Sequence, residues 1–418
     1  MKIPFLVQRV LDELEKNGYK AYVVGGAVRD MLLGKQPHDY DITTNATPEE
    51  IKSVFAGRCV TFAEKFGTVT VLEGGEEFEV TTFRKETGYS DSRHPDKVEW
   101  GKTIEEDLGR RDFTINAMAM DRDGNVIDPF GGQKDLANGF IKCVGYPYDR
   151  FKEDNLRILR AARFAALFDG ESFDSKTAKA MESYGGKKLN LSAERVRDEF
   201  TKMLVSGGFE RSIVVLNRLG ILKSVFPEIE KAYDERYGDL NTFGFSVTNV
   251  LPKDNLLRWG LVLSCVDKPE KVASRLKFSN KEKDEILFYA KNRDLSLASY
   301  NIPKIRRFAA ENGEYLQKLF TMQEIIEDYK YKHISEIPDS KKYDNRELCK
   351  MFLADGSAIL PSQLNITGYD LQELGFNGKE IGEIKNALYD EVLKCPELNT
   401  KEKLLSIAKD YADGEIER

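Results

Sequence analysis

Gly25-Gly26 follows a short apolar run, Ala21 to Val24, and Asp39-Tyr40-Asp41 comes thirteen residues after Gly26. These residue types suit one chemistry. A glycine pair between a strand and a helix over Ala27 to Leu33 lets backbone N–H groups approach a phosphate closely, and the helix N-terminus brings its positive dipole end to the same place. Asp39 and Asp41, two apart on a strand, project from one face. Two carboxylates so placed can hold Mg²⁺ beside a triphosphate, the arrangement that in-line nucleotidyl transfer needs. Alone, Asp-x-Asp is more often a solvated turn. The glycine pair at this spacing tips the reading toward a metal site.

Three further groups bear on the same chemistry. Glu79 stands in an alternating run from Glu77 to Arg84, with Glu77 and Thr81 on its face. It is either a third carboxylate for the metal or part of an exposed strand face. Arg110-Arg111-Asp112 leads into another strand-like run; adjacent arginines can clamp a triphosphate and an aspartate can accept from a ribose hydroxyl, although a surface Arg–Asp pair has the same pattern. Glu153-Asp154-Asn155-Leu156-Arg157 opens the first long helical pattern, which puts Asp154 and Arg157 three apart on one face. Cytosine and adenine offer an exocyclic amino donor where uracil and guanine present a carbonyl. An acceptor beside a multi-donor fork can therefore read C or A without a nucleic-acid template. An exposed Glu153–Arg157 helix pair is the competing explanation. Arg160 and Arg163 continue along that helix.

The elements that must position these groups change character along the chain. A helix over Phe5–Asn17 is followed by strand-like runs at Ala21–Val24, Tyr40–Thr43, Cys59–Phe62, Thr68–Leu72, Phe78–Phe83 and Ala117–Met120. Thr47-Pro48-Glu49-Glu50 is a capping box that starts a short helix. The stretch RKETGYSDSRHP, residues 84–95, is a polar connection long enough to be functional. From Glu153 onward the patterns are helical: Glu153–Phe168, Asp174–Ser183, Ala193–Leu204, Lys281–Ala290 and Glu380–Leu393. The expected fold class is α+β, an N-terminal mixed sheet followed by an all-α region. Breaks are expected near Gly207-Gly208, around Pro252, and over Ile337–Asn345.

Composition narrows the class. Of 418 residues, 41% are hydrophobic and 32% charged, which describes a soluble globular chain of several units. No apolar run approaches the ~18 residues that span a bilayer, so no membrane association is expected. Five scattered cysteines without a Cys-x-x-Cys pair point to a reducing cytoplasm. Three histidines in all exclude a histidine-rich metal phosphohydrolase. The net charge is −7, yet residues 251–310 carry 13 basic against 7 acidic residues. That local excess fits a confined polyanion footprint, and equally fits ordinary surface lysines.

The motifs VVGGAVRDMLLG, DYD, RRDFTINAMAM, DPFGGQKDL and EDNLRILRAARFAA occur here in the order and spacing of the class II tRNA nucleotidyltransferases. The chain resembles this family, the bacterial and eukaryotic CCA-adding enzymes, whose catalytic half is shared by bacterial poly(A) polymerases. Weaker likeness continues through LSAERVRDEF, ASRLKFSN and ITGYDLQELGFNGKEIGEIKNAL. The resemblance implies a catalytic head at 1–148, a base-recognising helical neck at 149–208, and a helical body and tail at 209–320 and 321–418 that grip the tRNA acceptor arm. It implies Mg²⁺ on Asp39 and Asp41, with Glu79 as a less certain match. Gly26, Arg29 and Arg111 would meet the triphosphate and Asp112 the ribose. Asp154 and Arg157 would select CTP and ATP, supported by Arg160 and Arg163. The implied activity is untemplated addition of C, C and A to the tRNA 3′ end, by a monomer or homodimer. An A-adding specialist and a bacterial poly(A) polymerase are the alternatives. The length of the 84–95 connection favours an enzyme that adds A, and the acidic tail disfavours the polymerase.

Overall fold

The computed structural model describes residues 2–63, 67–88, 97–168, 172–234, 242–334 and 345–413. Its contacts divide the chain into two compact units, residues 1–249 with 275–277, and 250–274 with 278–418.

The first unit begins with α1 (Phe5–Lys16), which buries Val7, Val10, Leu11 and Leu14 at helical spacing. β1 (Ala21–Val24), α2 (Gly26–Leu32), β2 (Asp41–Thr44), α3 (Pro48–Val54), β3 (Cys59–Ala63), β4 (Thr68–Glu73) and β5 (Glu76–Thr82) follow. At the start of α3 the expected capping box is complete, with the Thr47 side chain and Glu50 each satisfying the other's backbone N–H. β6 (Arg84–Thr87) and β7 (Lys97–Trp100) form a separate antiparallel ribbon. Then come α4 (Ile104–Gly109), a 3₁₀ turn at Thr114–Asn116, β8 (Ala119–Met120), β9 (Val126–Ile127) and α5 (Gly132–Ala137). The main sheet has seven strands in the order β3-β4-β5-β2-β1-β8-β9. β2 and β5 are parallel and the other pairs antiparallel, so the sheet is mixed as expected.

Two registers aim the sheet at the site. Val24 pairs with Asp41 across β1 and β2, which places the glycine turn after Val24 beside the first residue of β2. Ile42 pairs with Val80 across β2 and β5, which brings Glu79 alongside the start of β2. Beneath lies an apolar cluster of Val24, Phe83, Ile104, Leu108, Ala117, Ala119 and Val144.

The helical remainder of this unit holds α6 (Pro147–Glu153), α7 (Leu156–Ala165), α8 (Ser175–Glu182), α9 (Ala193–Val205), α10 (Phe209–Arg218), α11 (Leu222–Val225), α12 (Pro227–Asp234) and α13 (Thr242–Val247). The second unit holds α14 (Asn255–Leu263), α15 (Pro269–Arg275), whose last residue belongs to the first unit, α16 (Asn280–Asn292), α17 (Ile302–Ile334), α18 (Arg346–Ala354), α19 (Gly368–Glu373), α20 (Lys379–Lys394) and α21 (Lys401–Ala412). Gly260 lets α14 and α16 approach closely, since a Cβ there would lie 2.4 Å from Cβ of Tyr289. Leu371, Ile384, Leu388, Leu404 and Ala408 form the core that joins α19, α20 and α21.

Three expectations need correction. β2 begins at Asp41, so Asp39 lies in the preceding loop and the two aspartates do not share a strand. The pairing stops there because β1 ends at Val24, where Gly25 turns the chain away at φ 72°. The first long helix does not begin at Glu153 either. Asp154 adopts φ −150° and ψ 107° between α6 and α7. Its own Oδ1 accepts the Leu156 N–H at 3.0 Å, a local bond that competes with helix continuation. The connection expected over 84–95 is strand β6 at its start, and residues 89–96 lie outside the described residues.

Candidate functional site

One cleft of about 690 Å³ gathers ten of the eleven candidate residues: Asp39, Asp41, Gly26, Arg29, Arg111, Asp112, Asp154, Arg157, Arg160 and Arg163. Eight arginines and one lysine line it against four aspartates, so its field favours a polyanion.

At one end, Gly25 caps α2 in a left-handed conformation, and a Cβ there would lie 2.8 Å from Nη1 of Arg111. Only glycine admits the guanidinium at this distance. Arg111 is held by Asp107 of α4 at 3.4 Å, and its buried Nε has no hydrogen-bond partner. Asp107 is wholly buried; burial pushes its carboxyl upward, but Arg110 and Arg111 together hold it below the ordinary value. Sequence reasoning missed Asp107, although its spacing of three and four from the two arginines on a helix was a readable signal.

Asp39 and Asp41 are exposed to the cleft, and neither side chain makes a hydrogen bond or ion pair with a described residue. Asp41 is accessible yet crowded by protein. This partial desolvation raises its pKa, which Arg111 opposes and Asp39 reinforces. Two hard oxygen donors that repel one another without a bonded counter-ion fit a small divalent cation such as Mg²⁺. Glu79 sits outside the cleft lining. Partial burial, then Asp41 and Asp39, raise its carboxyl too, so the three charges interact. Among the described residues, however, no three of His, Cys, Asp or Glu stand close enough to hold a metal together.

The middle of the cleft is a network. Asp112 Oδ1 accepts the Phe113 N–H at 2.8 Å and Asn116 Nδ2 at 3.1 Å, while Oδ2 accepts Arg160 Nε at 2.7 Å. Burial opposes the charge, but Arg160 first and then these hydrogen bonds hold the Asp112 carboxyl down at about 2. Asn116 also accepts Arg29 Nη1 at 2.8 Å, which links the arginine of α2 to the aspartate. Arg29, Arg160 and Arg163 all stand over the Phe164 ring, at 5.0, 5.3 and 4.2 Å from its centroid. A π face can hold cations together that would otherwise repel. Arg163 is anchored from behind by the buried Glu199 of α9 at 2.5 Å.

At the far end, Asp154 and Arg157 both line the cleft, but the bend at Asp154 rather than a shared helix face brings them there. Arg157 is 8% exposed; it donates to Glu153 at 2.6 Å and to the carbonyls of Arg150 and Arg110 at 3.1 and 3.3 Å. The Glu153–Arg157 pair offered as the competing explanation therefore exists, in a largely buried setting that orients the guanidinium. Asp154 accepts both Nη atoms of Arg195. Arg195, Lys202, Asn116 and Phe164 were not singled out from sequence. Asn116 and Phe164 stand within the motifs RRDFTINAMAM and EDNLRILRAARFAA, whereas Arg195 meets Asp154 from 41 residues away and only the weaker motif LSAERVRDEF hinted at it.

A mixed sheet that sets a glycine turn beside a carboxylate pair, opening into an arginine-lined cleft, defines a protein of the nucleotide-handling class. Residues 21–142 match the poly A polymerase head domain, and residues 172–233 match the probable RNA and SrmB-binding site of polymerase A. A CCA-adding enzyme of Ligilactobacillus salivarius is 34% identical over 97% of this chain and 96% of its own length. One from Lactobacillus helveticus is 50% identical over 46% of this chain, and in that match the chain spans about half (48%) of the relative. The crystal structure of the Bacillus stearothermophilus CCA-adding enzyme in complex with CTP superposes with a TM-score of 0.76, at 28% identity and 99% coverage of both chains. The chain belongs to the CCA-adding enzyme family of tRNA nucleotidyltransferases.

Among the described residues no helix is long and apolar enough to cross a membrane.

Proposed function

We propose that this protein adds C, C and A to the 3′ end of tRNA from CTP and ATP, with no nucleic-acid template. The observation that supports it most is the meeting of the aspartate pair, the glycine turn, Arg111, Asp112, Asp154 and Arg157 in one basic cleft. The near full-length likeness to the L. salivarius enzyme and the fold shared with a CTP-bound relative support it independently.

The chain's own residues divide the work. Arg111, beside the Gly25-Gly26 turn, binds the triphosphate with Arg29. Asp112, held by Arg160 and Asn116, is the acceptor assigned to the ribose hydroxyl. Asp154 and Arg157 read the base edge and so take the place of a template. Asp39 and Asp41 would hold Mg²⁺, which when bound would supply charge stabilisation at the phosphoryl group being transferred and activation of the primer hydroxyl. The helical residues after 208, with their basic stretch over 251–310, are assigned to the tRNA acceptor arm.

The deciding experiment supplies tRNA transcripts ending before CCA, or ending in CC, with CTP and ATP. Addition of three nucleotides to the first and one to the second is expected. A long homopolymer would replace this reading with poly(A) synthesis, and extension of the CC transcript alone would make the protein an A-adding specialist.

A further inference from the structure

Asp154 has a neighbour that the reaction outlined above does not use. Arg195 reaches it from α9, 41 residues along the chain, with Nη1 on Oδ1 at 3.0 Å and Nη2 on Oδ2 at 2.8 Å. Both side chains line the cleft and are mostly buried, at 17% and 20% exposure. Their bond is therefore little screened by solvent ions. The placement of Arg195 follows from its helix. Ser192 caps α9 by accepting the Arg195 N–H, and Val196, Phe200 and Met203 anchor the helix in the core.

We propose that Arg195 is the positioning residue that sets base choice, because it holds Asp154 with a single acceptor position left open. This inference rests on the reading of Asp154 as the group that meets the base. An aspartate carboxylate offers about four lone-pair sites, two on each oxygen. On Oδ1 both are taken, one by Arg195 Nη1 and one by the Leu156 N–H at 3.0 Å. On Oδ2 one is taken by Arg195 Nη2 and one remains. Two parallel bonds from a planar fork also fix the plane of the carboxylate, so the direction of the remaining lone pair is fixed with it. One directed acceptor suits one exocyclic amino group, the feature that cytosine and adenine share. The carbonyl that uracil or guanine carries at the corresponding position meets a lone pair there and gains no bond. Without Arg195, the carboxylate rotates and recruits water, which can bridge to a carbonyl as readily as to an amino group.

A lysine at this position is not equivalent. Its ammonium is a point charge on a flexible stem and cannot impose the two-bond plane. Electrostatic support alone therefore predicts that Arg195→Lys retains selectivity, whereas geometric positioning predicts that it does not.

The test compares the full-length protein with Arg195→Ala, Arg195→Lys, Asp154→Ala and the Arg195→Ala/Asp154→Ala double variant. The ratio kcat/KM is measured for CTP and UTP on a transcript ending before CCA and for ATP and GTP on one ending in CC, with the melting temperature of each variant alongside. Both Arg195 variants are expected to lower the preference for CTP over UTP and for ATP over GTP by roughly tenfold or more. The double variant should be no less selective than Asp154→Ala, since both changes remove one device. The inference is overturned if Asp154→Ala loses selectivity while Arg195→Lys keeps it, or if Arg195→Ala lowers use of all four nucleotides equally. Unchanged selectivity in Asp154→Ala itself would instead remove the base-reading assignment on which this rests. Should the alanine variant fail to fold, the lysine variant, which retains the charge, decides alone.

Discussion

Gly25 and Arg111 occupy space that only one of them can fill with a side chain. A Cβ on Gly25 would lie 2.8 Å from Arg111 Nη1, and the Gly25 φ of 72° already disfavours any other residue. Gly25→Ala therefore costs about 1 kcal/mol in backbone strain and pushes the guanidinium away from its position. We expect kcat/KM for CTP to fall on the order of 100-fold, mostly through misplaced triphosphate. Steady-state kinetics at saturating tRNA is the check, and an unchanged KM for CTP would remove Arg111 from the triphosphate site.

Asp41 is predicted to trade stability for function. Burial, reinforced by Asp39 and only opposed by Arg111, raises its pKa above the ordinary 3.8. The folded state thus binds that proton more tightly than the unfolded chain does, and ionising Asp41 works against folding. The penalty is absent below about pH 3.8 and grows to its full size as the pH rises past the folded-state pKa. Asp41→Asn should melt higher than the parent at neutral pH, with the gap closing in acid, while nucleotide incorporation falls about 100-fold or more. A variant that melts lower at neutral pH would contradict the charge argument.

Asp112 should behave in the opposite sense. Its folded-state pKa of about 2 lies below the ordinary 3.8, so its ionised form favours folding at neutral pH. That contribution is fully present above pH 3.8 and is lost as the pH falls through about 2. Asp112→Asn should cost about 2 kcal/mol of unfolding free energy at pH 7, chiefly by leaving Arg160 without its partner. Urea unfolding followed from pH 7 into the acid range measures this. Equal midpoints at pH 7 would show that the Asp112–Arg160 pair adds nothing to stability.

The Phe164 ring has no hydrogen-bonding atom, yet three cleft arginines share it. Phe164→Leu keeps the volume apolar and removes the π face. With about 0.5–1 kcal/mol for each cation held, KM for both nucleotides should rise roughly tenfold. The melting temperature should change far less than in Phe164→Ala, which also opens a cavity. If the leucine variant binds CTP as tightly as the parent, the ring is packing and not a holder of cations.

Much of the catalytic half was readable because its signals are local. A β-rich run broken by Gly25 announced the strand, the turn and α2, and Thr47 to Glu50 announced α3 through capping chemistry that spans four residues. The Asp107 clamp on Arg110 and Arg111 was equally local and passed unnoticed. Spacing misled where a side chain overrode it. Asp154 was assigned to a helix by periodicity, and its Oδ1 bond to the Leu156 N–H turned that position into the bend between two helices.

By itself, the sequence determined which residue types were available, and nearly which ones would matter, because the glycine turn, the aspartate pair and the arginines carry their chemistry in their own atoms. The tertiary structure decided what each of them is free to do. Asp154 meets Arg195 across 41 residues, Asp112 meets Arg160 across 48, and Arg163 meets Glu199 across 36. No periodicity in a chain encodes such pairs. They exist because α9 packs on α7, and α7 in turn faces the segment after α4 that carries Asp112, so that buried charges meet their partners.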